Sequence, residues 1–298
     1  MALLGKYKQS SLAVKVIQWL GCIFLLSIPV MGCVLLFPQP LSVASLKWIQ
    51  LLQASAMFLL PPLCMAYLWS EQPLQWLKLT KQSYKAHWIW AIAIMLVALP
   101  GINLLSHLNQ QLTLPAFLEP LEQWMKTQEE SAAKLTEQFM HATTLLGLIA
   151  NLFLMALLPA VAEELTFRGV LQGLMTKSER PVPHMAIWCT AILFSAIHMQ
   201  FYGFLPRMLM GAMFGYALAW TGSLWIPVLM HFTNNAMAVL LYFVSLRAGW
   251  DMDKVDAIGT NDTLWLGVVS LVLTCVGIYA FRRSTTMSSA SSRMSSGS

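Results

Sequence analysis

Glu163-Glu164-Leu165-Thr166-Phe167-Arg168 lies near the end of a long apolar run, and the rest of the chain can be interpreted from it. Of the 13 acidic residues, Glu163 and Glu164 are the two that hydropathy places inside a membrane span. A carboxylate in the bilayer costs at least roughly 2.5–3.5 kcal/mol on insertion scales, so it is expected to serve a function or a specific pairing. The stretch therefore predicts a functional site inside the membrane.

Two later apolar segments each contain a histidine. His198 ends the segment Phe194-Ser195-Ala196-Ile197-His198, and His231 begins the segment His231-Phe232-Thr233-Asn234-Asn235. Glutamate, histidine and asparagine side chains within lipid can together supply proton transfer and hydrogen bonds to a reacting carbonyl. Their presence in separate spans indicates a hydrolytic site.

The composition is that of a membrane protein. Hydrophobic residues make up 57% of the 298 residues and charged residues 10%, whereas soluble domains carry about 25% charged residues. The length allows about eight spans of ~20 residues. The predicted fold class is all-α, a polytopic membrane protein with about eight transmembrane helices around an intramembrane polar cavity. The net charge of +5 follows from basic loops and predicts no nucleic-acid partner.

Hydropathy and charge divide the chain into spans and loops. The predicted spans are residues 16–37, 48–69, 88–106, 143–175, 183–200, 204–221, 224–246 and 264–281. Phe117, Leu121, Trp124 and Met125 recur at helical spacing in the polar stretch 107–142, which predicts an amphipathic helix on the membrane surface. The serine-rich tail after Arg283 is predicted to be disordered.

Lysine and arginine predict the orientation of the chain. They mark the N-terminus, the second and fourth loops and the C-terminus, which lie on one side of an eight-span chain. The positive-inside rule places both termini in the cytoplasm. The compact chain and short loops favour a bacterial inner membrane.

The polar residues can be compared by height along the helices. If neighbouring helices turn near Arg180-Pro181, near Gly203 and near Gly222, then successive counts at ~1.5 Å per residue bring four residues to one layer. The layer contains Glu163, His198, His231 and Asn235. Scattered polar residues would not be expected to share a height.

Spacing within each helix predicts further neighbours. Residues four apart share a face, so Glu164 can pair with Arg168, and Phe194 lies next to His198. Pro159 has no N–H for the carbonyl of residue 155, which predicts a kink one turn before the glutamates.

The three motifs Glu-Glu-x-x-x-Arg, Phe-x-x-x-His and His-x-x-x-Asn occur in this order, with 35 and 33 residues between Glu163, His198 and His231. Over about residues 145–240 this pattern resembles the CAAX-protease and bacteriocin-processing family, whose best-known branch is the type II CAAX prenyl endopeptidases. The resemblance implies an eight-helix membrane fold. It also implies proteolysis with Glu163 as general base, assisted by the histidines and Asn235.

The hypothesis for the chemistry is that Glu163 takes a proton from a water held by His198. His231 and Asn235 would then donate hydrogen bonds to the oxyanion. Glu164, Arg168 and Phe194 are expected to support the site structurally. The expected partners are the lipid bilayer and a peptide or membrane-protein substrate.

Two alternatives remain open from the sequence. In one, Glu163, His198 and His231 bind zinc, which activates the water, so that the cofactor is either none or Zn. In the other, the chain is a non-catalytic membrane scaffold or an immunity protein that acts by binding.

The chain is predicted to divide into three regions. Residues 1–142 form a three-span region with the amphipathic helix on the periplasmic or lumenal side. Residues 143–246 form a catalytic core of four helices typical of the family, and residues 247–298 comprise the last span and the tail.

Overall fold

The computed structural model describes residues 3–38, 41–176 and 182–295. All regular secondary structure in these ranges is helical, as predicted for the fold class. The long helices, in chain order, are α1 (Leu12–Leu36), α2 (Val43–Trp69), α3 (Lys85–Gln110), α4 (Glu119–Met140), α5 (Leu145–Met175), α6 (His184–Ala196), α7 (Phe204–Thr221), α8 (Trp225–Ala248) and α9 (Leu264–Ser295).

The chain is a polytopic membrane protein. Within the described ranges, six helices are long and apolar enough to cross a membrane, namely α1, α2, α3, α5, α8 and a last helix within 254–286. The predicted total of about eight also counted α6 and α7, which have 13 and 18 residues. α6 is short because the chain leaves the helix before His198, so the total of eight stays a prediction.

Other predicted features have different outcomes. The amphipathic helix is present as α4, whose Trp124 ring lies 5.7 Å from that of Phe201. The predicted turn at Arg180-Pro181 lies outside the described residues. The tail, expected to be disordered, continues α9 as far as Ser295. Adding residues to an existing helix avoids the cost of nucleation, which explains the continuation.

α8 occupies the centre of the bundle and contacts α3, α5 and α7, while α6 and α7 form a closely packed pair. α1 is peripheral, since Trp19 is its only buried residue. α9 packs along α3, where Ser270 inserts into the helix next to Pro100. Its hydroxyl accepts from Gly101 N at 2.9 Å and donates to Val97 O at 2.6 Å. This insertion joins the two helices at the irregular turn.

Prolines interrupt the helices that carry the polar residues. α5 is π-helical over Leu152–Leu157, just before Pro159, and again over Leu165–Leu171. The irregular geometry predicted next to Pro159 is therefore present as a π-helical segment. α2 is π-helical over Ser55–Leu59, just before its two prolines.

A main-chain carbonyl of α2 that lacks its helical N–H partner forms a hydrogen bond with α5. Pro62, four residues after Phe58, has no N–H to give to the Phe58 carbonyl. The Thr166 hydroxyl donates to that carbonyl at 2.9 Å. Because Thr166 lies one turn after Glu163, this bond fixes α2 against the helix that carries the glutamates.

Gly259 and Gly249 provide a matched pair for testing the loop before α9. Both have positive φ, +97° and +67°. A Cβ on Gly259 would overlap the carbonyl of Pro100, whereas nothing lies within 4 Å of a Cβ on Gly249. We expect Gly249→Ala to cost about 1 kcal/mol through backbone strain, and Gly259→Ala roughly 1–3 kcal/mol more through overlap. Melting temperatures of the purified proteins in detergent check this. Equal losses would show that the loop does not depend on its contact with α3.

Candidate active site

Glu163, His198 and His231 meet in the interior of the bundle. Glu163 Oε2 lies 3.9 Å from His198 Nε2 and 3.9 Å from His231 Nε2. Glu163 comes from α5 between its π-helical segments, His198 from the turn after α6, and His231 from the first half of α8. The three side chains converge at one height, as counting along the helices predicted.

Glu164 and Arg168 form a fully buried ion pair. Arg168 Nη1 donates to Glu164 Oε1 at 2.8 Å, and both side chains have 0% exposure. The four-residue spacing predicted this pairing. A buried pair is costly to desolvate, so each charge needs further partners.

Gly211 gives Arg168 one of those partners. Arg168 Nη2 donates to the Gly211 carbonyl at 2.8 Å, and the guanidinium lies 4.6 Å from the centre of the Phe194 ring. A Cβ on Gly211 would lie 3.2 Å from Nη2 and 3.1 Å from Phe194 Cδ1. The absence of a side chain therefore lets α5 and α6 approach α7 closely.

Glu164 also holds His231. Its Oε1 lies 3.0 Å from His231 Nδ1, and the imidazole stacks on Phe214 with 5.4 Å between the ring centres. A carboxylate that also receives the Arg168 bond is ionised and can only accept, so Nδ1 carries the proton. Nε2 consequently faces Glu163.

His198 is oriented by the main chain. Its Nδ1 lies 2.7 Å from the carbonyl oxygen of Phe194, which can only accept, so this nitrogen also carries a proton. The Nε2 lone pair of the neutral ring is then directed at Glu163. Met199, with φ of +55°, turns the chain immediately afterwards.

Residues from α3 and α7 hold the turn that contains His198. Asn109 of α3 donates to the Phe201 carbonyl at 2.9 Å. Arg207 of α7 donates to Gln200 twice, to the main-chain oxygen at 3.2 Å and to the side-chain oxygen at 2.9 Å. His198 lies outside a helix, but its ring is held by the Phe194 carbonyl and the residues that follow it are held by Asn109 and Arg207.

Glu163 differs from Glu164 in its environment. Oε2 of each glutamate is buried and has no hydrogen-bond partner in the described part of the chain. Glu164 Oε1, however, contacts Arg168 and His231, whereas Glu163 Oε2 faces Nε2 of both histidines. The gaps of 3.9 Å to both histidines exceed a direct hydrogen bond of ~2.7–3.2 Å. A polar gap of this size is suited to a bridging water. One small polar molecule could contact all three side chains.

The structure does not bring Asn235 into the same hydrogen-bonded group. Asn235 lies one turn after His231 on α8 and is half-buried. Its Oδ1 accepts from Asn234 Nδ2 at 3.2 Å. Within the described ranges, no hydrogen bond joins its side chain to Glu163, His198 or His231.

Sequence reasoning missed several residues of the site. Phe214 and Gly211 contact its charged groups but occur in an ordinary apolar helix. The Gly211 and Gly215 carbonyls both accept side-chain bonds, that of Gly215 from Gln172 Nε2 at 3.1 Å. Arg168 and Gln172 are four residues apart, as are Gly211 and Gly215, and this matched spacing was the signal in the sequence for the two contacts.

The donor set can be tested against zinc. Both imidazoles give Nδ1–H to an oxygen and direct Nε2 inward, which is how metal-binding histidines are usually held. The types of donor therefore fit. In their present positions, no three His, Cys, Asp or Glu side chains among the described residues are grouped closely enough to hold an ion.

Comparison with known proteins identifies this part of the chain. Residues 145–237 match the family model for type II CAAX prenyl endopeptidase Rce1-like proteins. An uncharacterized protein, YpbD, of Bacillus subtilis (strain 168) is 30% identical over 93 residues, a match that covers 30% of this chain and 44% of that protein. The chain thus spans less than half the length of this relative. No solved structure matches the chain. The resemblance predicted from the three motifs is confirmed for an Rce1-like domain of the CAAX-protease kind.

The buried ion pair gives a prediction about stability. Glu164→Met leaves the Arg168 charge buried and unpaired, which we expect to cost roughly 3–5 kcal/mol. Removing both charges in Glu164→Met/Arg168→Met should cost less than either single change. Unfolding of the purified proteins by sodium dodecyl sulfate measures the difference. A double variant as unstable as the sum of the singles would contradict the assigned coupling.

Proposed function

We propose, from the CAAX-protease domain of residues 145–237, that this chain is an intramembrane endopeptidase that hydrolyses a peptide bond of a membrane-associated substrate. The observation that carries the proposal is the unpartnered, buried Oε2 of Glu163, which faces Nε2 of both histidines at 3.9 Å. A buried carboxylate oxygen without a partner is costly unless a ligand or water satisfies it. Here the arrangement suits activation of a water.

Glu163 is the proposed general base. A water between Glu163 and His198 would give one hydrogen bond to Oε2 and one to Nε2, which leaves a lone pair for the substrate carbonyl carbon. Attack forms the C–O bond while the water proton moves to Glu163. The same proton then passes to the amide nitrogen as the C–N bond breaks. Glu163 thus acts first as base and then as acid.

His231 is the proposed oxyanion donor. Its Nδ1 lies 3.0 Å from Glu164 Oε1, and its Nε2 lies 3.9 Å from Glu163 Oε2. In the proposed role, an Nε2–H of His231 is directed at the reacting centre while Nδ1–H stays on Glu164. A donor fixed in this way stabilises the developing oxyanion more strongly than in water. Asn235 is proposed as a second donor, which requires its amide to turn toward the substrate.

The ion pair excludes Glu164 from the role of base. Its Oε1 already accepts from Arg168 and from His231. With Oε1 engaged in both contacts, Glu164 acts as the counter-ion of Arg168. Glu164, Arg168 and Phe194 are therefore proposed to position the reacting groups.

Zinc is the alternative activator. Glu163, His198 and His231 would hold it, and the metal would supply a Lewis acid that lowers the pKa of a bound water. We favour the glutamate mechanism because, in their present positions, no three His, Cys, Asp or Glu side chains among the described residues are grouped closely enough to hold an ion.

The wider setting follows from charge and hydropathy. We propose that the protein lies in a bacterial inner membrane with both termini in the cytoplasm, because the basic loops fall on that side. The boundaries at residues 142 and 246 are proposed to separate the catalytic core from the flanking regions.

Glu163→Gln tests the base directly. Removing general-base catalysis should lower cleavage by at least about 100-fold, while the melting temperature stays near that of wild type because Oε2 holds no partner. The measurement compares the protein N-termini in membranes from cells with wild type or with the variant. Glu130→Gln on the exposed face of α4 is the matched control. Cleavage retained by Glu163→Gln would exclude this role for Glu163, whereas N-termini that are the same with wild type, with the variant and in cells without the protein would favour a protein that acts by binding.

Metal content separates the two mechanisms. We expect purified, active protein to contain less than stoichiometric zinc by mass spectrometry, and to keep its activity after dialysis against a chelator. Loss of activity that added zinc restores would establish the metal alternative instead.

A further inference from the structure

α2 contributes a polar wall to a cavity at Glu163. The cavity has a volume of about 130 Å³, room for about four waters at ~30 Å³ each. It is lined by Gln50, Gln53, Ala54, Met57, Phe58, Pro159, Ala162 and Glu163. The cavity thus gives access to Glu163, the proposed base, from between α2 and α5. Apart from Glu163, its lining residues do not belong to the three sequence motifs.

Gln50 and Gln53 are unusual on a helix of this kind. They belong to Val43–Trp69, which is apolar and long enough to span a membrane. Gln53 is exposed and Gln50 half-buried, and neither side chain forms a hydrogen bond in the described part of the chain. An amide without a partner is costly in an apolar environment. The two side chains lie three residues apart on one face of the helix. A polar ligand between α2 and α5 would give both amides hydrogen-bond partners.

The wall that carries the glutamines is fixed against α5 at two levels. Near its start, Lys47 Nζ donates to Asn151 Oδ1 at 2.7 Å. Further along, Thr166 donates to the Phe58 carbonyl at 2.9 Å. Gln50 and Gln53 lie between these contacts, so their distance to Glu163 is set by the scaffold.

We propose that Gln50 and Gln53 bind the main chain of the substrate as an extended peptide that enters sideways between α2 and α5. The inference rests on the proposed peptidase function and names the kind of segment it acts on. Each amide offers an N–H and a C=O, which match the C=O and N–H of a peptide.

Main-chain recognition defines the substrate class. The segment at the cavity is non-helical, because a helix keeps its own N–H and C=O groups paired. A proline facing the glutamines is excluded, because it has no N–H. Glutamine is neutral, so the two contacts select for accessible backbone and not for a charged side chain.

The test uses a synthetic peptide that spans a cleavage site identified by comparing wild type with Glu163→Gln. Gln50→Met/Gln53→Met keeps the size of the side chains and removes both amides. Two lost hydrogen bonds of ~1 kcal/mol each correspond to an increase in KM of about 30-fold, with kcat nearly unchanged. Gln111→Met makes the same change outside this cavity and should leave both constants unchanged.

Peptides with single N-methylated amides show whether the contact is to the backbone. In wild type, methylation at one or two positions should raise KM by a similar factor. In Gln50→Met/Gln53→Met the same peptides should show no further increase, because the partner is already absent. Methylation effects that add fully to those of the double variant would overturn the proposal.

The outcomes separate this inference from the function itself. If no cleavage depends on the protein, so that membranes with wild type and with Glu163→Gln contain the same N-termini, the peptidase and the glutamine site both fail. If Glu163→Gln is inactive while Gln50→Met/Gln53→Met has wild-type KM, only the glutamine site is wrong. Should the double variant not fold, Gln53→Met alone, at an exposed position, should raise KM about fivefold, and an unchanged KM would equally overturn the proposal.

Discussion

The buried ion pair between Glu164 and Arg168 is the interaction on which the rest of the site depends. Its charges are stable inside the bundle because each has other polar contacts, Glu164 with His231 and Arg168 with the Gly211 carbonyl. These contacts draw α5, α7 and α8 together around one point. Burying the pair costs desolvation energy, but the pair fixes the orientation of His231. Packing of apolar side chains alone would not fix the direction of an imidazole N–H.

Two adjacent glutamates acquire different chemistry through helix geometry. Successive residues point about 100° apart, so Glu164 faces Arg168 and α7 while Glu163 faces the histidines. Glu164 Oε1 is held by Arg168 and His231, whereas Glu163 Oε2 faces Nε2 of both histidines at 3.9 Å and forms no direct hydrogen bond. The same residue type thus provides a structural charge and a proposed proton acceptor. The difference comes from the partners and not from the position in the bilayer.

Much of the site could be predicted from the sequence, because helical rise and the four-residue repeat are fixed quantities. They were enough to bring Glu163, His198 and His231 to one height and to pair Glu164 with Arg168. The part played by α2 could not be predicted, since nothing local to Gln50 shows which helix it faces. The number of spans was uncertain for a related reason. Hydropathy extends a span through His198, whereas the hydrogen bond from its ring to the Phe194 carbonyl accompanies the end of the helix.

Interruptions of the helical hydrogen-bond ladder recur wherever polar groups meet. Pro62 leaves the Phe58 carbonyl to Thr166, and Pro159 follows a π-helical segment one turn before the glutamates. In lipid a carbonyl without an N–H partner must find another donor. A proline in one span therefore creates an attachment point for the next span. The contacts between α2 and α5 arise in this way, and they place a polar cavity between two helices that are otherwise apolar. Because those attachments lie on either side of the cavity, they fix the separation of the two helices next to Glu163.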